Sequence, residues 1–284
     1  MEKSTSIQDV IRHIKNELND IYPKYEINSI IEMVLNHVVN LKKTDLLVNR
    51  KKPINAQQFE SIENITKHLK NHKPIQQITG KAIFYDITLN INSNVLIPRQ
   101  ETEELVDWII KDRSTKKNKI LDIGTGSGCI AIALAKNLPG SIVTATDFKQ
   151  EIIETATKNA KLNNVTVRFD LSDMLKEELP PDQYDLIVSN PPYVRASEKI
   201  FMQRNVLNYE PAEALFVKDE APLIFYRMII KLAEKHLMDD GALYLEINEF
   251  MGEEMIRLLK EKGFGKLWLR KDINNKDRMI KAQK

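Results

Sequence analysis

The chain has 284 residues, enough for one large or two modest domains, and its 42% hydrophobic and 29% charged residues suit a packed core under a water-facing surface. A formal net charge of +2 is too small to mark a nucleic-acid-binding surface, and the single cysteine, Cys129, excludes an internal disulfide and fits a reducing, cytoplasmic setting. The five histidines are scattered without ligand spacing, and neither a signal core nor a membrane-length apolar run is present, so no metal and no membrane partner is expected.

Residues 1–75 read as a helical domain. Ile7, Val10, Ile11 and Ile14 recur on one helical face, as do Ile27, Ile30, Ile31, Val34 and Val38, with Pro23 and Pro53 as breaks and a further helix over 55–69. Lys42, Lys43, Arg50, Lys51 and Lys52 cluster near a turn, either as a solvated face or as a docking surface for a large partner. Residues 76–99 change character: 83–91 alternate aromatic and β-branched side chains, and 94–98 form a second extended stretch that can pair with them as a linking β-hairpin. Arg99 reads as a linker ion-pair residue, ahead of a helix opening at Glu101 or Thr102 that carries Leu105, Val106, Trp108 and Ile109.

From residue 100 to 284 strands alternate with helices, the pattern of a parallel sheet covered on both faces. A strand over 119–123 runs into Gly124-Thr125-Gly126-Ser127-Gly128, where alternate glycines permit a tight turn and close approach of a ligand to the backbone. A dinucleotide fingerprint needs glycine or alanine where this chain has Cys129, which is read as a packing residue. The next strand ends in Asp147, where such folds grip ribose hydroxyls. A strand over 165–169 leads to Asp173 and Met174, which read either as an ordinary loop acid with a packed methionine or as an acceptor for a ligand amino group and a cover for its ring.

The apolar strand 184–188 ends in Ser189-Asn190-Pro191-Pro192-Tyr193. Two prolines stop the strand and leave a stiff turn with an amide side chain, carbonyls without neighbouring donors and an aromatic ring. Such a turn suits a planar substrate bearing an NH2 group: Asn190 Oδ1 and the Pro191 carbonyl can accept its hydrogens, and Tyr193 can pack on its plane. Residues 196–216 lack a clear period and read as a lid or substrate-binding excursion. A helix over 223–237, a strand over 242–247, a helix over 252–262 and two final strands near 267–270 and 278–281 complete the sheet.

The Asp-x-Gly-x-Gly-x-Gly run at Asp122–Gly128 resembles motif I of S-adenosylmethionine-dependent methyltransferases. With Asn190–Tyr193, the stretch Leu96–Glu103, Tyr209-Glu210-Pro211 and Ala214-Leu215, nearly the whole chain resembles the N5-glutamine methyltransferases of class I peptide-chain release factors. The resemblance implies an α/β fold, a Rossmann-like methyltransferase sheet with helices on both faces, preceded by the helical docking domain and the hairpin, with the last strand antiparallel beside its predecessor. It implies S-adenosyl-L-methionine at Gly124–Gly128, Asp147, Asp173, Met174 and Asn190, and methyl transfer at Asn190–Tyr193 to the glutamine of a Gly-Gly-Gln loop. The chain departs from the family pattern at 216–220 and at Leu245-Glu246-Ile247-Asn248. Asn-Pro-Pro-Tyr also occurs in enzymes that methylate adenine N6 or guanine N2, so a DNA or RNA base methyltransferase is the alternative, and a non-catalytic cofactor-binding module the third reading.

Overall fold

The computed structural model describes residues 5–115, 117–176, 179 and 181–284, with backbone only at Lys43 and Leu47. By backbone contacts the chain divides into two units. The first ends at Gly80 and takes in the later segment Gln203–Tyr209; the second comprises Lys81–Met202 and Glu210–Lys284.

The first unit holds α1 (Ile7–Leu18), α2 (Lys24–Val39), α3 (Lys43–Val48), α4 (Ala56–Lys70) and α5 (Ile75–Thr79). Ser6 and Asp9 cap α1 reciprocally: the Asp9 N–H donates to Ser6 Oγ at 3.3 Å, and the Ser6 N–H donates to the Asp9 carboxylate at 3.1 Å. Two donors at the helix start are thereby satisfied. Asn55 and Gln58 do the same for α4. The helical period then turns Ile7, Val10, Ile14 and Leu18 inward against Ile30, Val34 and Leu35 of α2 and Ile62 and Leu69 of α4, while Ile11 and Val38 sit half-buried at the margin. The chain at 50–52 is drawn onto the start of α1, where the Arg50 and Lys52 carbonyls accept from the Gln8 and Ile7 N–H groups at 2.9 and 3.1 Å. The side chains of Lys42, Arg50, Lys51 and Lys52 point to solvent; that of Lys43 lies outside the described residues.

The excursion expected as one piece over 196–216 is divided. Within it, Gln203–Tyr209 belongs with the helices, because the Tyr209 hydroxyl donates to the Asn71 carbonyl at 2.9 Å and the Tyr209 carbonyl accepts from Gln77 Nε2 at 2.7 Å. The remainder stays with the second unit.

The second unit contains β1 (Lys81–Phe84), β2 (Ile87–Asn90), α6 (Gln100–Arg113), β3 (Lys119–Ile123), α7 (Cys129–Asn137), β4 (Ile142–Asp147), α8 (Gln150–Leu162), β5 (Arg168–Leu171), β6 (Tyr184–Ser189) and β7 (Val194–Arg195). After α9 (Arg204–Tyr209), which lies in the segment grouped with the helices, come β8 (Phe216–Val217), α10 (Ile224–His236), β9 (Leu237–Glu246), α11 (Gly252–Glu261), β10 (Lys266–Lys271) and β11 (Asp277–Gln283). The main sheet has the order β10-β11-β9-β6-β3-β4-β5, with β11 antiparallel between β10 and β9. Strands β9, β6, β3, β4 and β5 run parallel. Both faces are covered, so β6 reads as a continuous apolar run: Leu186 and Val188 face the core shared with α6, α7 and α8, while Ile187 faces that of α10 and α11. Each such side chain contributes roughly 1.5–3 kcal/mol by leaving water.

Two expectations are corrected. The hairpin closes inside 81–90, with Phe84 opposite Ile87, because Tyr85 takes a left-handed conformation (φ 52°) and turns the chain in two residues. The stretch 94–98 then finds no strand partner. The Asn90 backbone is already engaged by the fully buried Asn159 of α8, whose Oδ1 accepts from the Asn90 N–H at 2.7 Å and whose Nδ2 donates to the Asn90 carbonyl at 3.1 Å. The strand expected over 165–169 begins later, at Arg168, because a left-handed Asn164 (φ 56°) ends α8 and the chain needs three more residues to reach register with Thr144. Among the described residues no helix is long and apolar enough to cross a membrane, and no group of three or more His, Cys, Asp or Glu is placed to hold a metal.

Candidate active site

In a parallel sheet, ligands settle outside the carboxyl ends of the strands where the strand order reverses. Here β4 and β5 follow β3 to one side and β6 lies on the other, so the reversal falls between β3 and β6. The glycine turn leaves β3 and the proline loop leaves β6, and Ser189 Oγ clamps the two strand ends together by donating to the Ile123 carbonyl at 2.7 Å. Between these loops opens a cleft of about 380 Å³. It is lined by Gly124, Thr125, Gly126, Ser127, Asp147, Asp173, Met174, Asn190, Pro191 and Pro192, and also by Arg99, Thr102 and 94–96.

The glycines divide by role. The Gly124 and Thr125 N–H groups both donate to the Thr146 carbonyl at 2.9 Å, and the Gly126 N–H donates to Asp147 Oδ2 at 2.9 Å, so the turn is tied to the end of β4. Gly126 adopts φ 55° with nothing within 4 Å of a would-be Cβ, which leaves its backbone open to a ligand. Gly128 does not line the cleft. Its φ is 83°, and a Cβ there would lie 2.9 Å from Ile132 Cδ1 and 3.2 Å from Ala156 Cβ, so it serves the close packing of α7 on α8. Gly128→Ala is therefore expected to cost about 2–5 kcal/mol of stability, from left-handed strain of roughly 1–2 and overpacking of roughly 1–3 kcal/mol. Urea unfolding reads this out, and an unshifted midpoint would remove the packing role.

Beneath the turn, Asp122 is fully buried and accepts from Thr125 Oγ1 at 2.7 Å; burial pushes its carboxyl up to about 7. Asp147 accepts from two backbone donors, Gly126 at Oδ2 and Phe148 at Oδ1, each at 2.9 Å. Burial raises its pKa while these N–H groups oppose the shift. Asp173 and Met174 sit at the expected strand-end loop, with Asp173 Oδ1 accepting from the Leu175 N–H at 3.0 Å. Met174 Cε stands 3.4 Å from the point where a Gly124 Cβ would be. Cys129 opens α7, and burial pushes its thiol up to about 12, as suits a packing residue. Arg99 pairs with the buried Glu210 at 2.6 Å, and Glu210 also accepts from the Ile97 N–H at 3.1 Å, which pins Glu210 beside the cleft wall.

The proline loop is held from behind. Asn190 Nδ2 donates to Thr102 Oγ1 at 3.1 Å, and Thr102 Oγ1 donates to Glu246 Oε2 at 2.6 Å. Tyr193 differs from expectation. It is absent from the cleft wall, packs against the α10–α11 core, and donates its hydroxyl to Glu246 Oε1 at 2.9 Å. Burial raises both the Tyr193 phenol, well above its ordinary value, and the Glu246 carboxyl. Thr102 and Glu246 escaped the sequence reading as site residues. The available signal was a glutamate within the apolar run Leu243–Ile247, since a charged residue in a doubly covered strand requires partners.

The cleft fits an adenosyl group. Its volume lies in the range of small-molecule sites, Gly124 and Gly126 expose backbone, Asp147 and Asp173 offer carboxylates, and Met174 and Ile152 offer apolar cover.

Over residues 81–215 the chain matches the family model described as methyltransferase small domain, and over residues 9–80 the PrmC N-terminal domain. It is 46% identical to the release factor glutamine methyltransferase of Flavobacterium psychrophilum, covering 93% of this chain and 94% of that protein. It is 40% identical to the release factor glutamine methyltransferase of Bacteroides thetaiotaomicron, covering 97% and 99%. Among solved structures it is similar to a 16S rRNA N2 methyltransferase from T. thermophilus in complex with AdoMet and guanosine. The TM-score is 0.52 at 19% identity, over 72% of this chain and 49% of that one, a likeness of fold.

Proposed function

Because this chain belongs to the release factor glutamine methyltransferases, we propose that it methylates the side-chain amide nitrogen, N5, of the glutamine in the Gly-Gly-Gln loop of class I peptide-chain release factors. S-adenosylmethionine is its methyl donor and a release factor its protein substrate. The observation that supports the finer reading is the orientation of Asn190. One hydrogen of its NH2 goes to Thr102 Oγ1, which turns that arm of the amide inward and leaves Oδ1 as an acceptor for the cleft.

When bound, S-adenosylmethionine would supply a methyl group activated by its sulfonium charge; the Gly124–Gly126 backbone would hold it, with Asp147 at the ribose and Asp173 and Met174 at the adenine. A glutamine amide nitrogen is a poor nucleophile because its lone pair is shared with the carbonyl. Asn190 Oδ1 and the Pro191 carbonyl each accept one amide hydrogen, which fixes the amide plane and turns the nitrogen toward the donor. As positive charge develops on that nitrogen, both contacts strengthen, so the loop stabilises the transition state more than the bound substrate. Placement of this kind is worth on the order of 7 kcal/mol or more in favourable cases. No strong base is required, because the amide proton becomes acidic only as the nitrogen is methylated. Tyr193 keeps its proton, raised as its phenol is by burial, and acts as a donor to Glu246.

Mass spectrometry tests the reading on a Gly-Gly-Gln peptide, an intact release factor and total nucleic acid, each incubated with enzyme and methyl donor. A methyl on the glutamine is expected in the first two. Methylated bases with an unmodified glutamine would sink it. The exposed basic side chains at 42–52 are read as a docking surface for the intact factor. Paired Lys51→Glu and Lys52→Glu changes are expected to raise KM for the intact factor by roughly 2–30-fold at low salt, taking about 0.2–1 kcal/mol per exposed charge. KM for the peptide should not move, and equal losses on both substrates would remove the docking role.

A further inference from the structure

Asn190, Thr102 and Glu246 come from the loop after β6, from α6 and from the end of β9, and their hydrogen bonds run in one direction. A hydroxyl has a single hydrogen. That of Thr102 is drawn to the Glu246 carboxylate at 2.6 Å, so toward Asn190 the hydroxyl presents a lone pair. Facing a lone pair, Asn190 turns its NH2 inward at 3.1 Å, and the other arm of the amide is left for the cleft. The second Glu246 oxygen receives the Tyr193 hydroxyl at 2.9 Å. We infer that Glu246 is a positioning residue: by accepting the Thr102 proton it sets the polarity of the chain from Asn190 through Thr102, and so decides that the catalytic loop offers the substrate amide an acceptor rather than a donor.

This rests on the reading that Asn190 accepts from the glutamine NH2. Without an obligate acceptor behind it, the Thr102 hydroxyl can point its hydrogen at Asn190. The amide then turns over and meets the substrate NH2 with its own NH2, two donors face to face, and the loop stops holding the nitrogen. The groups around the carboxylate are mixed in sign. Arg278 of β11 favours its charged form, and Glu101 of α6 disfavours it. Cys129 of α7 is near enough to feel its charge, and Tyr226 of α10 donates to the Glu246 backbone carbonyl at 3.2 Å. Burial outweighs the favourable partners and holds Glu246 above the ordinary glutamate range. The sign follows from this. Protonation converts an accepting oxygen into a donor, so polarity is kept above the raised pKa and is lost as pH falls through it.

The test uses the full chain with a Gly-Gly-Gln peptide and compares Thr102→Val, Thr102→Ser, Glu246→Gln and Asn190→Ala. Steady-state kinetics, single-turnover pH profiles and calorimetric titration of the methyl donor are read together. Thr102→Val keeps the shape and removes the hydroxyl. It is expected to lower kcat by roughly 10–150-fold with KM and donor affinity unchanged, the scale of losing a hydrogen bond to a charged group. Thr102→Ser should restore the rate, and the acid-side loss of kcat in the wild type should vanish in Thr102→Val. If Glu246→Gln does not fold, the two threonine variants carry the test unaided. Thr102→Val at the wild-type rate beside an impaired Asn190→Ala overturns the positioning role and leaves the loop reading intact. Equal impairment of Thr102→Val and Thr102→Ser also overturns it, by reducing Thr102 to packing. Asn190→Ala at the wild-type rate removes the reading on which both stand.

Discussion

Asn190→Ala is expected to lower kcat for the glutamine peptide by roughly 10²–10³, the factor that accompanies loss of one preorganised charge-stabilising contact. On the proposed reading the contact to be lost is an acceptor aimed at a nitrogen that becomes positive only during the reaction, so the penalty should fall on kcat and the affinity for S-adenosylmethionine should change little. Asn190→Asp separates acceptor strength from orientation. A carboxylate still accepts, but it has no NH2 to give Thr102, whose hydroxyl hydrogen is committed to Glu246 at 2.6 Å. An aspartate therefore meets a lone pair where the native residue meets an acceptor it can satisfy, and its rate should fall with that of the alanine variant. Single-turnover methylation beside a binding titration distinguishes the two steps. A folded alanine variant that binds donor and methylates at the native rate would reduce the proline loop to a strand terminator.

Asp147 carries the second large effect. Asp147→Ala is expected to weaken S-adenosylmethionine binding by about 1.5–3 kcal/mol, the range for hydrogen bonds to charged groups, or roughly 10–150-fold in Kd. Asp147→Asn should fare no better, although it is nearly isosteric. Both carboxylate oxygens accept backbone N–H groups, from Gly126 and from Phe148, each at 2.9 Å. An amide must aim its NH2 at one of them, which displaces either the glycine turn or the start of the next segment. Calorimetry on the folded variants decides the matter, and unchanged affinity in Asp147→Asn would take the carboxylate out of the site.

What could be read from the sequence was what short segments determine. The turn after β3, the acid ending β4 and the stop after β6 each follow from a few adjacent residues whose geometry neighbours cannot much alter: glycines at positive φ, prolines without an N–H. A covered parallel sheet follows from the alternation of such segments, and its strand ends bring these motifs to one cleft. The contacts that orient the side chains of the proline loop are not legible, because they join residues far apart in sequence. Thr102 meets Asn190 across 88 positions and Glu246 across 144. The sequence alone assigns Tyr193 to the substrate because its partner, a carboxylate on β9, is invisible beside it. Gly128 shares its spacing with Gly124 and Gly126, yet Ala156 on α8 decides its role. The hairpin differs from expectation for a local reason: Tyr85 turns the chain at φ 52° where no glycine or asparagine announces a turn.

Because Gln203–Tyr209 belongs with the N-terminal helices yet follows β6 in the chain, the first unit cannot be finished in the order of its synthesis. Helices α1 to α5 leave the ribosome first and can bury Ile14, Val34 and Leu69 against one another. The Asn71 carbonyl and the Gln77 amide must then wait for Tyr209, 138 and 132 positions later. Until that residue is made, those two groups face water and the nascent helical bundle is a fragment. A cut after Gly80 would recreate this condition in the mature protein. It would leave a helical piece lacking Tyr209 and a remainder carrying an orphaned helix, two complementing parts instead of two free domains.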